Sequence, residues 1–256
     1  MNLICFTSPK GSCGASFCTA NIAKILSDSG CRCLVADMQG KSSVLGMYMG
    51  CSDAFVYNLT DVLSERCSFS DAVVNNVCES DMDFVSVSPL YDLQSEEFAE
   101  YLALMKNTSS YDYILADVPF NFLTVLESGD TAVFVTDPQS ANVAVLDRFI
   151  SSSTISCKAY VLINKVVPEL ISFGGADNID DICDTLGLPP LGIIPCDCEV
   201  SAYLNKGILS ADNKELMSTK ALCNIAERIK GNRAVPLDFD YKSIYHKNIK
   251  NITYRR

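Results

Sequence analysis

Apolar residues come in short runs, at residues 3–6, 33–36, 84–87, 113–116, 132–135, 159–163 and 191–194. A strand with one face in water alternates apolar and polar side chains, so uniform runs of this length predict strands buried on both faces. Between them lie segments with helical spacing, at 16–29, 95–106, 140–152, 178–186 and 213–230. Several open on a Ser or Asn able to cap a first turn. Strand–helix alternation requires right-handed crossovers, so the pattern predicts an α/β fold: a mainly parallel, twisted sheet with helices on both faces. Ligands on such sheets bind beyond the carboxyl ends of the strands.

Composition narrows the class. A chain of 256 residues, 48% hydrophobic and 20% charged, is large enough for one buried α/β core. We assign residues 1–231 to that domain and 232–256 to a Pro-containing connection and a basic tail. The first residues lack a basic n-region and read as a strand, not a signal peptide, and no apolar stretch reaches the ~18 residues that span a bilayer. The expected location is cytoplasmic. Thirteen cysteines include no C-x-x-C pair and there is one histidine, His246, so reduced core thiols are expected in place of a disulfide framework or a metal centre.

Charge is unevenly spread. The net value is −11, yet residues 241–256 hold Lys242, Lys247, Lys250, Arg255 and Arg256 and no acid. An acidic body argues against wrapping nucleic acid, while the tail is a separate element with its own chemistry.

The first strand runs into Thr7-Ser8-Pro9-Lys10-Gly11-Ser12-Cys13-Gly14-Ala15-Ser16 and then a helix. Strand, glycine-containing loop and helix N-terminus is the order that turns backbone N–H groups and a helix dipole onto an anion. The same order also suits an ordinary strand–helix turn with no ligand. The pattern G-x-x-x-x-G-K-[ST] is broken at Pro9 and at Ala15, which stands where the lysine belongs.

Residues 10–16 resemble the deviant Walker A loop K-G-G-x-G-K-T of the MinD/ParA family of P-loop NTPases. The resemblance implies that Gly11, Ser12, Cys13, Gly14, Ala15 and Ser16 cradle the phosphates of ATP and that Ser16 ligates Mg²⁺. It also implies that Lys10 reaches across a sandwich homodimer to the partner's nucleotide. Further segments follow in the family's order. Asp37-Met38-Gln39 is similar to its D-x-D, with Gln39 on the carboxylate that positions the attacking water; a neutral Gln can orient water but is no base. Read on its own, Asp37 also suits a helix cap. Tyr111-Asp112-Tyr113-Ile114-Leu115-Ala116-Asp117-Val118-Pro119 resembles the Walker B strand, which makes Asp117 a Mg²⁺ residue, though it too could be a structural cap. Val161-Leu162-Ile163-Asn164-Lys165 and Leu191-Gly192-Ile193-Ile194-Pro195-Cys196-Asp197 are similar to the base-side segments, with Asn164 reading adenine and Pro195 lining its pocket.

In the tail, Tyr241, Ile244, Tyr245, Ile249 and Ile252 share one helical face and basic residues the other, as expected of a segment lying on an anionic membrane surface. The arrangement is similar to the family's C-terminal amphipathic helix; packing on the acidic body and contact with DNA are the other readings. The implied function is a nucleotide-responsive positioning or scaffolding protein: ATP at a dimer interface recruits protein partners of a localisation or assembly machine at the membrane or cell pole, with weak or absent hydrolysis. Departures at residues 15 and 39 are similar to the TadZ/CpaE branch, which localises pilus-assembly machinery and usually carries an additional N-terminal domain. An active partitioning-type ATPase, and a tyrosine-kinase-like protein suggested by Tyr241, Tyr245 and Tyr254, are the alternatives.

Overall fold

The computed structural model describes residues 2–88, 95–107 and 110–234. Seven strands, β1 (Asn2–Thr7), β2 (Cys33–Asp37), β3 (Met82–Ser86), β4 (Tyr113–Asp117), β5 (Thr131–Thr136), β6 (Lys158–Val166) and β7 (Pro190–Pro195), form one sheet in the order β3-β2-β4-β1-β5-β6-β7. Every pairing is parallel. Each strand contains one of the seven apolar runs, except that Val87 lies just past β3. Burial explains why the runs do not alternate: every residue of β2 and β3 is buried, and both faces of the sheet are covered.

The helices are α1 (Ala15–Asp28), α2 (Leu45–Tyr48), α3 (Leu59–Leu63), α4 (Phe69–Ala72), α5 (Ser95–Lys106), α6 (Ser140–Ser152), α7 (Pro168–Ser172), α8 (Ile179–Leu186), α9 (Val200–Leu204) and α10 (Met217–Ile229). The β1–α1–β2 crossover steps one way along the sheet, while α5, α6 and α8 carry the chain the other way. Right-handed connections therefore put α1 on one face and those three on the opposite one. α10 returns to the first face and packs on both α1 and β7. At Gly192 it comes so close that an added Cβ would overlap the Ile225 side chain.

The predicted helices are present, α5 and α6 with the predicted bounds and α1, α8 and α10 with shifted ends. α10 starts at Met217 and not at 213, because Asn213 donates to Tyr203 Oη at 2.9 Å and accepts from the Glu215 amide at 3.1 Å, which holds the chain in a turn. Asn178 does cap α8, accepting from the amides of Asp180 and Asp181. α1 is capped differently, by a left-handed Gly14 with no side-chain bond. Within α1, Asn21 is buried and its Oδ1 accepts from Ser210 Oγ at 3.1 Å and the Ala211 amide at 2.8 Å, tying the first helix to the chain just before α10.

All thirteen cysteines are free. The expectation of core thiols needs correcting at one place: Cys196 and Cys198 are exposed, because they sit on the loop after β7. Gly231, at φ 87°, lies just past α10; the expected membrane contact of residues 241–256 lies outside the described residues. Among the described residues no helix is long and apolar enough to cross a membrane.

Candidate functional site

β1 is the strand at which connections diverge, with β4 on one side and β5 on the other. A crevice opens beyond its carboxyl end, as such switch points require. Gly14 lies there at φ 101°, and an added Cβ would overlap Asn164 Nδ2, so both conformation and space demand glycine. Ser12 is also left-handed, at φ 80°, where the resembled loop has a second glycine. With no acidic residue in the first turn of α1 and no side-chain cap, its first amides remain available to an anion.

Two carboxylates close the other side. In the sheet register, Asp117 at the end of β4 stands beside Phe6 of β1 and Asp37 of β2. Asp117 is fully buried; it accepts a hydrogen bond from Ser16 Oγ and a second from Gln39 Nε2 at 2.9 Å. Burial, then the charge of Asp37, pushes its pKa up to about 7. The Asp37 carboxyl is likewise raised by burial, against the pull of its own donors. Those donors are Ser43 Oγ at 2.6 Å, the Gln39 amide at 3.0 Å and the Leu45 amide at 3.1 Å. Asp37 thus organises the turn into α2, whereas the hydroxyl of Ser16 and the carboxylate of Asp117 form an all-oxygen donor pair of the kind that suits Mg²⁺ beside a phosphate. Among the described residues no group of three or more His, Cys, Asp or Glu side chains converges as a metal site.

On the far side, Asn164 near the end of β6 is buried and donates from Nδ2 to the Cys13 carbonyl at 2.8 Å. A carboxamide has two N–H donors and one oxygen, so one donor and the acceptor stay free for a ligand. Lys165 follows at φ 56° and donates from Nζ to the Ser12 carbonyl at 2.5 Å. Asp197, beyond Pro195, accepts from the Glu199 amide at 3.2 Å and Ser218 Oγ at 3.2 Å, fixing the loop that follows β7.

These parts enclose one cavity of about 790 Å³. Of the residues singled out in the sequence, Gly11, Ser12, Gly14, Ala15, Ser16, Gln39, Asp117, Asn164 and Pro195 line it; Lys10, Cys13 and Asp37 do not. Lys10 is exposed and Cys13 is buried behind the loop. Sequence reasoning gave no role to Lys165, nor to Val44, Tyr48 and Leu204, which complete the walls. The dipeptide Asn164-Lys165 at a strand end was the available signal for the first; the others sit on, or just before, helices too short to leave a periodic trace. The walls from α2 and α9 meet backbone to backbone. A Cβ on Gly50 would lie 2.8 Å from the Gly207 carbonyl oxygen, and both glycines have φ 65°.

A parallel sheet of this order with a phosphate-type loop between its central strand and first helix defines the P-loop NTPase class. Comparison with known proteins carries this further. A family profile described as an AAA domain matches residues 1–155. The septum site-determining protein MinD of Helicobacter pylori is 27% identical over 268 residues, covering 98% of each chain. Among solved structures, a MinC:MinD cell division protein complex from Aquifex aeolicus contains a chain matched with TM-score 0.81 and 25% identity, covering 93% of this chain and 99% of that one. MinD complexed with Mg-ADP from Pyrococcus horikoshii shares the fold, with TM-score 0.73 at 20% identity, over 89% and 95% of the two chains. The chain belongs to the AAA-domain family and, within it, to the P-loop ATPases of the MinD/ParA type.

Proposed function

We propose that this chain is a nucleotide-dependent positioning protein that binds ATP between two copies of itself and uses the resulting dimer to recruit protein partners at a membrane or cell pole. The observation that carries the reading is the cavity beyond β1, where loop amides, Ser16, Asp117 and Asn164 face one space. In that space the amides between Gly11 and Ser16 receive the phosphoryl oxygens. Ser16 and Asp117 hold Mg²⁺, which supplies charge neutralisation to the phosphates when bound. The free donor and acceptor of Asn164 orient the base, and Pro195 walls it in. The MinD relatives, one in a complex with MinC and one with Mg-ADP, support both partner binding and the choice of nucleotide.

Hydrolysis is expected to be slow. Ala15 brings no cation to the phosphates, and a missing charge-assisted hydrogen bond is worth roughly 1.5–3 kcal/mol. Gln39 cannot accept a proton at neutral pH, and its amide is held on Asp117 at 2.9 Å. The second reading, an active partitioning-type ATPase, is favoured by one feature: Lys10 is exposed and outside the cavity of its own chain, which suits delivery to another copy. Phosphate release by purified protein, measured alongside sedimentation in ATP and ADP, separates the two. Dimers formed in ATP with negligible phosphate release support the scaffold; turnover lost in Lys10→Ala establishes the ATPase.

A further inference from the structure

Among the described residues two carboxylates, Asp117 and Asp197, line the cavity, and Lys165 is the one lysine or arginine that does. A polyphosphate brings several more negative charges into that space. The loop answers with backbone amides and a helix dipole worth roughly half a unit charge, and Ala15 adds nothing. Lys24, further along α1, is occupied elsewhere, at 2.6 Å from Asp28 and 3.3 Å from Asp212, and Lys10 is outside the lining.

Lys165 is built differently from its neighbours on β6. Its backbone turns left-handed at φ 56°, a conformation that costs energy for any residue with a side chain. The β6–β7 register shifts between Ile163 and Val166, across the same residue. This kink lets the side chain cross from β6 to the loop after β1, where Nζ meets the Ser12 carbonyl at 2.5 Å. An ammonium carries three donors, so two remain after that bond. It also acts as a compact point charge on a flexible stem, and its effect needs no particular slot in the loop's own sequence. We infer that Lys165, from the end of β6, supplies the positive charge that the phosphate loop lacks at Ala15, and binds the phosphoryl end of a nucleoside di- or triphosphate.

This inference rests on the nucleotide reading above, and the test separates the two. ADP is titrated calorimetrically, with and without Mg²⁺, into the unaltered protein, Lys165→Met, Lys165→Arg and the double variant Ala15→Lys/Lys165→Met, each first checked by thermal melting. Lys165→Met is expected to weaken ADP roughly ten- to hundredfold, Lys165→Arg to stay within about threefold, and Ala15→Lys to restore most of what Lys165→Met loses. Unchanged affinity in Lys165→Met overturns the inference. So does a loss that Ala15→Lys leaves unrepaired, since Lys165 then acts only by holding Ser12. If Lys165→Met does not fold, Lys165→Gln, which keeps a donor without the charge, takes its place with the same expectations. An unaltered protein that takes up no ADP defeats the nucleotide reading itself, and this inference with it.

Discussion

Asp117 joins the phosphate loop to the end of β2, since it receives Ser16, Gln39 and the field of Asp37 in a fully buried position. Asp117→Ala is expected to weaken Mg-ATP binding while leaving the fold intact, as calorimetry and circular dichroism would register. The same residue sets a pH dependence. Its folded pKa of about 7 stands well above the ordinary carboxylate value of about 3.9, so between roughly pH 4 and 7 the folded state holds the extra proton. Stability is therefore greatest below that window and falls as pH rises through it, by an upper bound of roughly 4 kcal/mol. Asp117→Asn should flatten the nucleotide-free melting curve across this range and raise the melting temperature at pH 8; equal slopes in both proteins would show that the carboxylate is not the source. Gly14→Ala should cost roughly 1–3 kcal/mol and lose nucleotide binding, because the left-handed backbone and Asn164 leave no room for a methyl group.

Among elements, strands were the most legible from sequence and short helices the least. A strand covered on both faces carries a mainly apolar run instead of an alternation, and each of the seven was marked by such a run. α2, α3, α4, α7 and α9 have four or five residues each, too few for a helical period, and local contacts hold them. α3 depends on Asn58 and Asp61 in a reciprocal cap, and α2 follows a turn built by the Asp37 carboxylate. The site residues at strand ends were readable for the same reason as the strands, but contacts between distant segments were not. Nothing in a serine at position 12 announces a φ of 80°, and no spacing rule brings Lys165 onto the loop 153 residues earlier. The link from α1 to the chain before α10 is testable at this scale. Asn21→Ala strands Ser210 Oγ and the Ala211 amide in a buried setting, and denaturant unfolding should report a loss of roughly 1–3 kcal/mol.

At the scale of the whole molecule, an acidic body is joined to a short basic segment at residues 241–256. Removal of that segment should reduce co-sedimentation with anionic liposomes while nucleotide binding is kept. Equal sedimentation of both forms would assign the segment to some other contact. The cavity has a mechanical side as well. Gly50 and Gly207 touch with no side chain between them, so the stretch that leaves Gln39 and the stretch that leaves Pro195 meet at one backbone contact. A methyl group on either glycine would run into the other's backbone, so Gly50→Ala should push apart the two loops that wall the chamber and lower the melting temperature.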